Sequence, residues 1–128
     1  MSKTRIDWAK APEAEDFDAA MNYLSLIFPE AKCKPLVQSL RSVHNIVRAS
    51  KDLIRASNLP LLPRDDPHVD EALKRINKGK SLSPVLLVSG DMTRGIPLII
   101  ADGHHRICAL CYVDESEPVE CRMAALGR

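Results

Sequence analysis

Ile100-Ala101-Asp102-Gly103-His104-His105-Arg106 joins two stretches of opposite character. Before it, Pro97-Leu98-Ile99-Ile100 has the short, β-branched look of a strand. After it, Ile107-Cys108-Ala109-Leu110-Cys111-Tyr112 reads as a helix. A glycine at such a junction lets the backbone turn tightly and leaves free amides at the start of the helix. Those amides and the positive end of the helix dipole attract anions. Arg106 adds a permanent charge with a planar fork of donors suited to phosphate, and His104 and His105 add ring nitrogens that donate or accept. The turn is therefore expected to be an anion site, with phosphate the expected anion.

Working outward, Pro84-Val85-Leu86-Leu87-Val88 reads as a buried strand and Ser89–Gly95 as a polar loop leading to the strand before Gly103. Upstream, Asp66-Pro67-His68-Val69 starts a helix with an Asp cap and a first-turn proline. Val69, Leu73 and Ile76 form its apolar stripe, and Gly79 ends it. Residues 59–67 hold three prolines and must be extended. Downstream, Asp114–Glu117 is an acidic loop and Val119–Met123 a final strand. The first half reads as helical: Pro12–Phe28, with a stripe at Phe17, Met21, Leu24 and Phe28, then Ala31–Val43, then Ser50–Ser57 with Ser50 as its cap. Val43–Val47 is ambiguous, and residues 1–12 read as a polar lead pinned by Trp8.

With 128 residues one core is expected, and with only 4% aromatic residues it must be built from Leu, Ile, Val and Ala. The formal net charge of +1 provides no overall field for nucleic acid or anionic membrane. Arg41, Arg48, Lys51 and Arg55 lie close in sequence but read as a solvated helix face. No stretch approaches the ~20 apolar residues that span a bilayer, and the first residues lack an apolar signal core. A cytoplasmic protein without membrane partners is expected. Its four cysteines are then reduced, and Cys108-x-x-Cys111 reads as buried small residues rather than a zinc pair, for want of two further ligands.

The order of parts from residue 59 onward resembles the N-terminal domain shared by chromosome-partitioning ParB proteins and sulfiredoxin. The matching parts are Pro63-Arg64, the helix Val69–Asn77, Gly79, the strands Pro84–Val88 and Leu98–Ile100, the turn Gly103-His104-His105-Arg106 and the closing strand Val119–Met123. The resemblance implies an α/β (α+β) fold, a small mixed sheet with packed helices, here preceded by a helical section over residues 1–58. It implies that the Gly-x-x-Arg turn cradles the phosphates of a nucleoside triphosphate, CTP or ATP, with Mg²⁺. On that basis Gly103, His104, His105 and Arg106 carry over as phosphate contacts, and Arg64 from the Pro-Arg element. The turn also departs from the family. His104 stands where sulfiredoxin has its cysteine, so sulfinic-acid reduction lacks its nucleophile. ParB proteins carry Gly-Glu-Arg-Arg there and a helix-turn-helix after it. None is read here, so specific DNA recognition is not expected.

Asp102 has two compatible readings, a turn or cap residue, and a group that orients a histidine, holds Mg²⁺ or moves a proton. His105 is the second candidate for proton transfer, and no resident metal is assigned. The expected function is binding of a nucleotide or other phosphorylated small molecule, with phosphotransfer or nucleotide hydrolysis as candidate reactions. The alternatives are a non-enzymatic DNA-associated or protein-interaction module and, more weakly, a metal-dependent nuclease. The Phe17 stripe is expected either to pack on the domain or to form a homodimer contact.

Overall fold

The computed structural model describes residues 6–127. In chain order the elements are helices α1 (Ala14–Leu24) and α2 (Glu30–Ser42), strand β1 (Ile46–Ala49), helices α3 (Ser50–Ser57) and α4 (Pro67–Asn77), strands β2 (Val85–Val88) and β3 (Ile99–Asp102), helix α5 (His104–Val113) and strand β4 (Pro118–Ala124). The strands form one mixed sheet in the order β1-β4-β2-β3, and the fold is α+β. The central pair β2 and β4 is parallel, while β1 and β3 join the two edges antiparallel. The ambiguous Val43–Val47 stretch divides: Val43 ends α2, and Ile46 and Val47 open β1, pairing with Cys121 and Glu120.

Side chains alternate across a strand, and each face of this sheet buries its own helices. Val85 and Leu87 of β2, Ile100 of β3 and Val119 of β4 point to α3, α4 and α5, where they meet Leu53, Val69, Leu73, Ile107 and Leu110. Leu86, Val88, Ile99 and Ala124 point the other way, against Phe17 and Leu24 of α1 and Leu36 and Leu40 of α2. The stripe expected on the first helix is thus part of the core: Phe17 and Leu24 are buried, with Met21 and Phe28 packed at its margin. The helix itself is shorter than expected, because residues 25–28 form turns.

Two local expectations take a different form. Ser50 does not cap α3; Ala49 holds that position, and the buried Ser50 hydroxyl donates to the carbonyls of Asp114 and Glu115 at 3.2 and 2.9 Å. With Ser50 N–H on Glu117 O and Lys51 N–H on Glu115 O, it ties the start of α3 to the acidic loop. Asp66 does cap α4, its Oδ1 accepting from His68 and Val69 N–H at 2.9 and 3.1 Å. Of the lead expected over residues 1–12, residues 1–5 lie outside the described residues, and Trp8 forms a parallel bridge with Leu82. All four cysteines are free thiols.

Candidate functional site

Strand β3 ends at Asp102, and Gly103 turns the chain into α5 with φ 114°, a left-handed conformation that disfavours a side chain. Space demands glycine as well. A Cβ built at Gly103 would lie 2.5 Å from Val85 Cγ1 and 2.9 Å from Arg106 Nη2. Since no side chain caps α5, the amides of its first residues, His104, His105 and Arg106, lack both an intrahelical acceptor and a cap. The signal read from the sequence is therefore present in three dimensions: a glycine-enforced turn opening an uncapped helix.

Arg106 lies across this turn. Its Nη2 donates to Asp102 Oδ2 at 2.8 Å and its Nη1 to Ser83 O at 2.9 Å, leaving further N–H groups on the fork. The side chains of Arg106 and Asp102 are only 17% and 21% exposed, so the pair is a fixed fitting rather than a loose surface contact. Burial pushes the Asp102 carboxyl above its ordinary value; the Arg106 charge pulls it down, but Asp16 of α1, close by, adds to the rise. Asp102 therefore serves Arg106 directly.

A cleft of about 380 Å³ opens beside this pair. His105 and Arg106 line it from α5, and His68, Glu71 and Arg75, one face of α4 at spacings of three and four, form a second wall. Glu13 and Glu15 reach it from the start of α1. They lie close together, and a hydrogen bond with Glu13 is the main reason that the Glu15 carboxyl rises above its ordinary value. The His68 and His105 rings sit 4.8 Å apart, tilted by 48°. Desolvation first, then the neighbouring His68, depress the His105 pKa below 6.5, so His105 is neutral at pH 7.

Not all the residues read from the sequence gather here. His105 and Arg106 line the cleft, with Gly103 and Asp102 behind them. His104 turns away: its Nε2 lies 3.0 Å from Pro60 O, a contact that places the ring proton on that nitrogen. Arg64 lies over the Tyr112 ring at 5.9 Å, and Tyr112 Oη donates to Leu62 O at 2.7 Å. His104 and Tyr112 thus strap the proline-rich segment to α5, and neither His104 nor Arg64 is a lining residue of the cleft. Conversely, the sequence reading misses Arg75, Glu71, Glu13 and Glu15 and takes His68 only as part of a helix start. The spacing of His68, Glu71 and Arg75 marks a polar helix face, but only the fold shows what that face meets.

Among the described residues no group of three or more His, Cys, Asp or Glu side chains is arranged to hold a metal ion. No described helix is long and apolar enough to cross a membrane. The basic residues Arg41, Arg48 and Arg55 are spread over α2, β1 and α3. Arg41 lies over the Phe17 ring at 4.5 Å, Arg48 donates to Val47 O, and Arg55 pairs with Asp52 at 3.6 Å. Comparison of the chain with protein-family models, curated proteins and solved structures finds no match.

Proposed function

We propose that the cleft at the start of α5 binds a phosphorylated small molecule, with a nucleotide as the leading candidate. The observation that carries this reading is that His105 and Arg106, first-turn residues of the uncapped helix α5, line one cleft. A phosphate there would accept from the amides of His105 and Arg106 and from the unused N–H groups of Arg106, which Asp102 and Ser83 O hold in position. The likeness of residues 59–128 to the ParB and sulfiredoxin domain supports the same reading. Asp102 contacts Arg106, so its part is to position that charge. His105, neutral at pH 7 and exposed in the cleft, is the group placed to accept a proton if transfer follows binding. Divalent cations, in this reading, arrive with the phosphates of the ligand.

Isothermal titration of the folded chain with CTP, ATP, ADP and GTP, with and without Mg²⁺, tests the proposal. Binding of at least one nucleotide is expected. Arg106→Ala should weaken it by about 2–4 kcal/mol, the range for truncating one partner of a partly buried charge contact. Absence of heat for every nucleotide, with circular dichroism confirming a folded chain, would remove the nucleotide reading.

A further inference from the structure

Both arginines of the cleft are braced by one short segment. Leu82 bridges to Trp8 in parallel: its N–H donates to Asp7 O at 2.8 Å and its carbonyl accepts from Ala9 N–H at 2.9 Å. In extended chain successive carbonyls alternate sides, so those of Ser81 and Ser83 face away from residues 7–9. Each accepts from one arginine. Arg75 Nη2 lies 3.0 Å from Ser81 O, and Arg106 Nη1 lies 2.9 Å from Ser83 O. Two residues of extended chain span about 7 Å. Guanidinium groups from two different helices thereby rest on carbonyls two residues apart in one segment, and both line the same cleft.

Their charges are not cancelled by the surroundings in the same way. Arg106 is paired with Asp102, whereas Arg75 enters no ion pair among the described residues. Arg75 keeps four of its five donors after the Ser81 bond. Building a second guanidinium into the cleft has little purpose for a ligand with one anionic group, which the α5 amides and Arg106 already satisfy.

We infer, resting on the phosphate reading of the cleft, that Arg75 and Arg106 form a two-point clamp and that the ligand carries two anionic groups. These are either the two phosphoryl groups of a diphosphate or a phosphate and a carboxylate on one small molecule. Glu13 and Glu15, on the α1 wall, repel such a ligand and confine its two anionic groups to the arginine side. Their replacement by glutamine therefore tightens binding.

The test is a titration of the full chain, at constant ionic strength, with pyrophosphate, phosphoglycolate and methyl phosphate, followed by amide chemical shifts. At least one of the two probes with two anionic groups should bind about tenfold tighter than methyl phosphate. Arg75→Ala should erase that preference while changing methyl phosphate binding by less than about twofold, and Arg75→Lys should restore part of it. Lys74→Ala removes the same charge one position away, where Lys74 pairs with Asp70 at 3.1 Å outside the cleft, and should leave the preference intact. Pyrophosphate and phosphoglycolate, compared with each other, separate the two sources of the second anion. Equal affinity for all three probes, or an Arg75→Ala effect matched by Lys74→Ala or shared equally by methyl phosphate, overturns the clamp and leaves the phosphate site standing. Binding of none of the probes overturns both.

Discussion

Gly103 turns the chain from β3 into α5. Its φ of 114° is unfavourable for any L side chain, and Val85 occupies the space a Cβ would need. Gly103→Ala should therefore lower stability by roughly 2–4 kcal/mol, combining backbone strain with overpacking. Urea denaturation of the two proteins measures this directly. The glycine was legible because a strand, a glycine and a helix in succession leave few backbone solutions. The directions of its neighbours were not legible. His104 and His105 are adjacent in sequence, but a helix start sends one to Pro60 O and the other into the cleft. Arg64 shows the same limit, since residue type gave a charge but the Tyr112 ring fixed where it lies. Asp102 reads in sequence as a turn or cap residue, or as a group that orients a histidine, holds Mg²⁺ or moves a proton. No side chain caps α5, and the i,i+4 spacing to Arg106 is the one local sign of its actual partner.

Most helices and strands of the second half fall close to where proline, glycine and the apolar periodicity put them. Of the first half, β1 was the least legible, because four residues with only intermediate and exposed side chains carry no alternation to read. Helix α1 was visible as a stripe, but its two destinations, a core or a dimer contact, look alike in sequence. Its Leu24, fully buried against the sheet, gives a clear test: Leu24→Ala should cost about 2–5 kcal/mol. The same helix brings Glu13 and Glu15 to the cleft and Asp16 near Asp102, a contribution no local motif announces. In α5 and β4 the thiols behave as small apolar residues. Burial raises the pKa values of Cys108 and Cys111, and that of Cys121 to about 11. In the native protein at neutral pH these thiols should react slowly with an alkylating reagent and rapidly once denaturant is added. Fast native labelling of Cys108 or Cys121 would contradict their packing.

At the scale of the molecule, helices on both faces of one sheet create a cleft where the starts of α1 and α5 meet the polar face of α4. One titrating group of that cleft, His105, makes stability pH-dependent. His105 has a depressed pKa in the folded chain, so between that value and 6.5 the unfolded chain binds more protons. Stability should fall as pH drops through this window and level off below it. Desolvation contributes most to the shift, His68 and His104 add to it, and Asp66 acts against it. The change in urea midpoint between about pH 7.5 and about pH 5.5 should be smaller in His105→Gln than in the parent. The same protonation adds positive charge to the cleft, so phosphate binding should strengthen as stability declines. The central claim, that the uncapped start of α5 holds a phosphate, is open to one direct observation. In an amide-resolved NMR titration with inorganic phosphate, the largest shift changes should fall on His104, His105 and Arg106 and disappear in Arg106→Ala. Saturable changes centred elsewhere, or none at these three amides, would contradict it.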